Sequence, residues 1–308
     1  MAAALAAVCL APPPYMRPEY ALILGVVVAL LGFAPSGDAV KKASRTLIQV
    51  CVVGLGFGMN LEELVRAGLT GLGFGFGTIV ATFCLGFVIA KWLAIDQKLS
   101  TLISSGTAIC GGSAIAAVGS TIRASGTHMS VAIGVVFILN AVGLWVFPPL
   151  GHALSLTQQQ FGVWSAVAIH DVSSVVGAAS AYGKEALEVA TAVKLSRTLW
   201  IVPVAIVAAW FFRKELEGRE GRAKLPIPWF ILLFVLASVT GTYLLPPGLA
   251  HGISDAARRG MNVALFLVGL GLSRTALASV GVRPLILAVA LWVFISIAAL
   301  AVVRSTIF

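Results

Sequence analysis

Charge is what this sequence has least of. Only 11% of its 308 residues are Asp, Glu, Lys or Arg, 59% are hydrophobic, and the mean hydropathy is +1.01. A soluble domain carries about 25% charged residues. A soluble globular fold is therefore excluded, and no interval between the apolar stretches is long enough to hold one. Cysteine is scarce too. Cys9, Cys51, Cys84 and Cys110 lie apart in apolar stretches with no CxxC spacing, which argues against a disulfide framework or a structural metal site. They read as small buried hydrophobes. HExxH, GxSxG and P-loop motifs are missing, and the GLGFG string at 54–58 lacks the strand–turn–helix setting of a dinucleotide fold. The chain is expected not to be an enzyme and to need no cofactor or metal. Its net charge of +9 comes without a basic stripe interleaved with aromatics, so no nucleic-acid partner is expected. The cations sit in short loops, as the positive-inside rule describes.

Apolar segments fill most of the chain. They predict ten membrane crossings, at about 20–33, 46–59, 69–92, 99–119, 129–150, 161–180, 186–212, 227–245, 260–272 and 284–303. The expected class is an all-α, polytopic membrane protein with one integral membrane transport domain over 1–308. Residues 1–18 form a poorly defined N-terminal segment, and 213–226 a charged loop. Several crossings are shorter than the ~20 residues that a bilayer asks for, so broken or half-spanning elements are expected among them. With ten crossings the odd-numbered loops hold 12 Lys and Arg, and the even-numbered loops with both termini hold 7. That bias places the charged loop in the cytoplasm and both termini outside an inner membrane.

The chain is organised around GTAICGGSAIAA at 106–117. Gly106, Gly111 and Gly112 lie in the middle of an apolar segment, with Thr107, Cys110 and Ser113 around them. Each glycine costs about 1 kcal/mol of helix propensity relative to alanine, so Gly-Gly-Ser predicts a break. Freed backbone groups at such a break can bind an ion or a polar solute. The competing reading is close helix packing through small residues.

Asp171, in AIHDVSS at 168–174, is the one carboxylate deep in an apolar segment. Intramembrane carboxylates are costly and usually serve an ion or proton pathway. With His170 beside it, Asp171 is the expected ion-coupling residue; Ser173 and Ser174 equally suit a helix cap made by Asp171. Lys194 and Arg197, three residues apart in AVKLSRTLWIVP, share a helical face. They are expected either to receive an anion, to pair with Asp171, or to snorkel to an interface. Asn140 and Gln49 read as packing hydrogen bonds. Arg274 sits beside a break. The expected substrate site is thus Thr107, Cys110, Gly111, Gly112, Ser113, His170, Ser173, Ser174, Lys194 and Arg197.

Two internal echoes suggest an inverted repeat. VGLGF at 53–57 recurs as VGLGL at 268–272, and AICGGS at 108–113 has a fainter counterpart in AIHDVS at 168–173.

TAICGGSAIAA at 107–117, HDVSSVV at 170–176, VKLSRTLWIVP at 193–203 and GLGLS at 269–273 together resemble the YeiH-type sulfate exporter family, over residues 20–305. The resemblance implies a cation:proton antiporter or bile-acid symporter-like fold, with discontinuous helices crossing near the midplane. It also implies proton- or cation-coupled secondary transport of sulfate or a related sulfur-containing anion by alternating access. A passive anion channel and a non-transporting sensor or assembly subunit are the alternatives, and a homo-oligomer is among the expected partners. The chain departs from that family in its short region before the VGLGF segment, interrupted by Pro12-Pro13-Pro14, which predicts a degenerate or missing first helix. It departs again after Asp171, where Val-Ser-Ser-Val-Val stands in place of a polar residue such as Gln.

Overall fold

The computed structural model describes residues 9–10, 18–31, 37–213, 229–270 and 281–305. The charged loop at 214–224, Arg274 and nearly all of the N-terminal segment lie outside them. The described residues contain thirteen helices and no strand. They are α1 (Pro18–Leu30), α2 (Gly37–Gly56), α3 (Leu61–Trp92), α4 (Gln97–Ala108), α5 (Gly112–Thr121), α6 (Gly126–Ala153) and α7 (Gln158–Ala168). Then follow α8 (Val172–Tyr182), α9 (Lys184–Thr198), α10 (Ile201–Phe211), α11 (Trp229–Tyr243), α12 (Pro247–Leu270) and α13 (Val282–Ser305). Among the described residues, four stretches are long and apolar enough to cross a membrane: Leu64–Trp92, Gly126–Ala153, Lys184–Phe211 and Val282–Ser305. The all-α polytopic class follows from them.

Two of the ten expected crossings turn back instead. In α4–α5, a side chain grown at Gly106 would meet Ile115, and one at Gly119 would meet Leu102. Helices in line would separate the second pair by about 25 Å, at 1.5 Å per residue. The two arms therefore lie side by side, and Asp96 at the start of α4 faces Arg123 and His128 beyond the end of α5. The α7–α8 pair behaves alike. Phe161 stacks on Tyr182 with ring centroids 3.8 Å apart, and Gln158 Oε1 accepts from Glu185 N at 3.1 Å. Each arm has 10 to 12 residues, about 15–18 Å. That is half the ~30 Å hydrocarbon core, so both pairs are hairpins whose arms have the length of half a crossing.

The 28-residue α6 links them. Its start adjoins the base of the first hairpin, where His128 Nδ1 lies 3.6 Å from Asp96. Its end adjoins the base of the second, where His152 stacks on Tyr182. The hairpins therefore enter from opposite ends of α6. A long helix follows each one: α6 after the first, and α9–α10, running the other way, after the second. This is an inverted repeat, and it is the fainter echo that marks it. Ala108 ends α4 as Ala168 ends α7, and Gly112 opens α5 as Val172 opens α8.

The VGLG echo has a packing role. Cys51 and Gly54 of α2, and Gly58 just past its end, meet Gly260, Ala257 and Ser254 of α12, in reverse order, so these helices run antiparallel. Gly269 meets Gly25 of α1, where the backbones touch. Gly271 and Leu272 lie outside the described residues. A Cβ at Gly25 would be 3.0 Å from Gly269 Cα and closer still to the Phe266 carbonyl oxygen. Overpacking of this kind costs about 1–3 kcal/mol. Gly25→Val is therefore expected to lower the melting temperature in detergent by roughly 2–10 °C; an unchanged melting temperature would mean that α1 does not pack on α12.

Candidate functional site

The hairpin tips meet halfway along α6. The first tip is Ile109-Cys110-Gly111 and the second Ile169-His170-Asp171. A Cβ on Gly111 would stand 3.6 Å from both Asp171 N and the His170 carbonyl carbon, and 3.2 Å from Val136 on α6. Gly111 turns the chain with φ 64° and ψ −125°, a conformation that glycine adopts without steric cost. The second tip has no glycine. There Asp171 turns the chain as the N-cap of α8: its Oδ2 accepts from Ser173 N at 3.1 Å, from Ser174 N at 3.4 Å and from the Ser173 hydroxyl. Asn140 of α6 holds this tip, with Oδ1 accepting from His170 N at 2.9 Å and Asp171 N at 3.3 Å.

Each tip joins the C-terminus of one half-helix to the N-terminus of another. The C-termini expose carbonyls and carry partial negative charge, and α9 answers both. Lys194 Nζ donates to Ile169 O at 2.8 Å and Ala166 O at 3.2 Å, at the end of α7. Arg197 donates to Ala108 O at the end of α4, and to Thr78 Oγ1 of α3 at 2.8 Å. Trp292 of α13 adds an indole donor to Ala168 O at 3.0 Å. The N-termini differ from each other. That of α8 is filled by the Asp171 carboxylate, whereas α5 begins at Gly111 with no side-chain cap.

Around this junction, buried polar atoms have no partner. They are both ring nitrogens of His170, Thr107 Oγ1, Asn140 Nδ2 and Arg197 Nε. His170, Thr107 and Arg197 are 0% exposed and Asn140 3%. Each unsatisfied buried group costs about 1–3 kcal/mol. Each such group calls for an explanation, and a bound polar solute is one of them.

A family model described as "Conserved hypothetical protein 698" matches residues 2–288. A UPF0324 membrane protein of Bacteroides thetaiotaomicron is 49% identical over 93% of this chain and 86% of its own length. A UPF0324 membrane protein of Porphyromonas gingivalis is 47% identical over 93% and 87%, and one of Bdellovibrio bacteriovorus 46% over 92% and 87%. The chain belongs to the UPF0324 membrane protein family. This and the YeiH-type family of the resemblance are the same family; the relatives' names carry no substrate. No solved structure matches.

In this UPF0324 protein nearly every expected site residue converges on the junction. Thr107 and Cys110 are buried on the first hairpin, Gly112 is half-buried, and Ser113 is exposed one residue into α5. The Cys110 thiol faces the Ala114 N–H and the Thr198 hydroxyl. His170, Ser173 and Ser174 are buried on the second hairpin. Lys194 and Arg197 are fully buried, so neither snorkels, and neither forms an ion pair with Asp171; their bonds go to tip carbonyls. Cys84 differs from its expected burial and is exposed on α3. Asn140, read from sequence as a packing residue, holds the second tip, and Trp292 was not singled out at all. The signal for Asn140 was its place 14 residues into a 28-residue apolar helix, where a polar amide is unusual.

Proposed function

We propose that this protein is a secondary active transporter of a small anion, with sulfate or a related sulfur-containing oxyanion as its substrate. The observation that carries this reading is the pair of oppositely directed hairpins meeting over unpartnered polar atoms. Such an arrangement presents one closed gate to each side of the membrane, so access alternates when one hairpin or the other shifts. Anion preference is supported by the open α5 N-terminus beside Ser113 and by the positive charges of Lys194 and Arg197. The last two act through the carbonyls they cap. Asp171, with His170 beside it, is the proposed coupling residue for a proton or cation. A passive channel is disfavoured, because the tips close on each other with Gly111 against Asp171.

The membrane is proposed to be the inner membrane, with the start of α6 toward the cytoplasm. The first hairpin carries Arg123 to the same end as Lys91 and Lys98, which strengthens the bias of Lys and Arg toward that side.

The test is uptake of radiolabelled sulfate into proteoliposomes with and without a pH gradient. Asparagine also caps helices well, so Asp171→Asn is expected to fold normally yet lose gradient-driven accumulation by about tenfold or more. Asp171→Ala is expected to cost about 0.5–2 kcal/mol of stability in addition. Wild-type accumulation by Asp171→Asn would remove Asp171 from coupling. A folded wild type that accumulates none of sulfate, thiosulfate, sulfonates or carboxylates would remove the transporter reading.

A further inference from the structure

Asn140 is anchored in a way that packing alone does not require. Its Oδ1 accepts from two backbone N–H groups, those of His170 and Asp171. This fixes which end of the amide is which: a flipped side chain would set its NH2 against two donors. The Nδ2 group is therefore locked in place, buried, with two N–H donors and no protein partner. A packing asparagine in a membrane helix satisfies itself by bonding at both ends. Asn140 is satisfied at one.

Its position gives the free end a purpose. Val136, Asn140 and Gly143 form one stripe of α6, spaced four and three residues apart. Val136 lies against Gly111 of the first tip, and Gly143 faces Ile169 of the second. Asn140 stands between them on that stripe. His170 at the second tip and Thr107 near the end of α4 also carry buried groups without a partner.

We propose that Asn140 is a substrate-contacting residue, with Oδ1 held by the second hairpin and Nδ2 donating to an acceptor oxygen of the transported solute. This rests on the transporter reading above. It gives α6 a part in recognition as well as in linking the hairpins. It also couples the two events, because the amide that meets the solute is aimed by the hairpin that must move.

Asn140→Asp separates a contact from a structural role. Aspartate keeps an acceptor for the two tip N–H groups but presents no donor, and it brings negative charge toward an anion. A purely structural asparagine predicts wild-type transport from this variant. The proposal predicts a KM for radiolabelled sulfate raised about tenfold or more in the folded fraction of this variant, over and above the loss of stability that a buried carboxylate brings. Should Asn140→Asp fail to fold, Asn140→Thr serves. Its hydroxyl stands one bond nearer the backbone than the amide oxygen, no group of it reaches the position of Nδ2, and KM is again expected to rise about tenfold. A folded variant of either kind with wild-type KM overturns the role of Asn140 and leaves the transporter reading intact. A wild type neither transporting nor stabilised by any tested anion overturns both.

Discussion

Lys194→Met is expected to abolish transport and to lower stability by about 2–5 kcal/mol, although the change replaces a buried charge with an apolar side chain of similar length. Removing an ion from the interior is often neutral when its partners are removed with it. Here the partners stay. Ile169 O and Ala166 O would be left facing hydrocarbon at the end of α7, and each unsatisfied carbonyl costs about 1–3 kcal/mol. The negative end of the α7 dipole would also lose its counter-charge. The melting temperature in detergent should fall by roughly 5–15 °C, and sulfate uptake to about a hundredth of wild type or less, because the second tip is no longer held in register. Arginine is not expected to rescue it. Lys194 is fully buried and binds two carbonyls through a single nitrogen, a task that the broad, planar guanidinium does not fit. A Lys194→Met protein that folds and transports normally would show that neither the charge nor the cap is needed.

Lys194 and Arg197 also explain how two hairpins from opposite sides act as one site. They lie three residues apart on α9, one tied to the end of α7 and the other to the end of α4. A shift of α9 by one side chain's length is felt at both tips. Arg197 extends the link to α3 through Thr78, and Trp292 extends it to α13. The cations thus set the local potential from the carbonyl side of both tips.

The site was more legible in the sequence than the path of the chain around it. Rarity located the site: a carboxylate, a Lys and an Arg in apolar surroundings stand out because burying them is costly. Direction was not legible. An apolar run of 21 to 25 residues reads the same whether it crosses the bilayer or goes halfway and returns, since hydropathy measures length and not heading. The first hairpin at least carried a Gly-Gly signal. The second turns on His170-Asp171 without glycine or proline, and its cue was the capping chemistry of Asp171 with Ser173 and Ser174. That cue was legible, but it competed with a coupling role; in the structure the carboxylate does cap, which leaves its coupling role to be tested. The stronger of the two echoes has a second physical source. Glycines in VGLG serve close packing of α1, α2 and α12, and membrane interfaces recruit small residues whether or not a repeat exists.

Gly111→Ala, set against Gly112→Ala, is the sharpest test of the tip geometry, because neighbouring glycines are expected to respond in opposite ways. Gly111 holds φ 64° and ψ −125°, where an L side chain costs about 1–3 kcal/mol. Its Cβ would press on Val136 Cγ1 at 3.2 Å and stand 3.6 Å from Asp171 N, filling the space in which the two tips meet. Gly112 is the first residue of α5, and a Cβ there meets only Phe137 Cζ, at 4.0 Å. Alanine at Gly112 is expected to be neutral or to stabilise by up to about 1 kcal/mol, through better helix propensity and a less flexible unfolded chain. Gly111→Ala should therefore lose stability and lower transport to about a hundredth of wild type, while Gly112→Ala keeps its melting temperature or gains a few degrees. Melting curves and sulfate uptake on the two proteins, prepared side by side, decide it. Equal tolerance of both changes would mean that the tips stand apart in the membrane. Equal damage from both would mean that the break needs flexibility along its whole length, and not one left-handed residue at the point of contact.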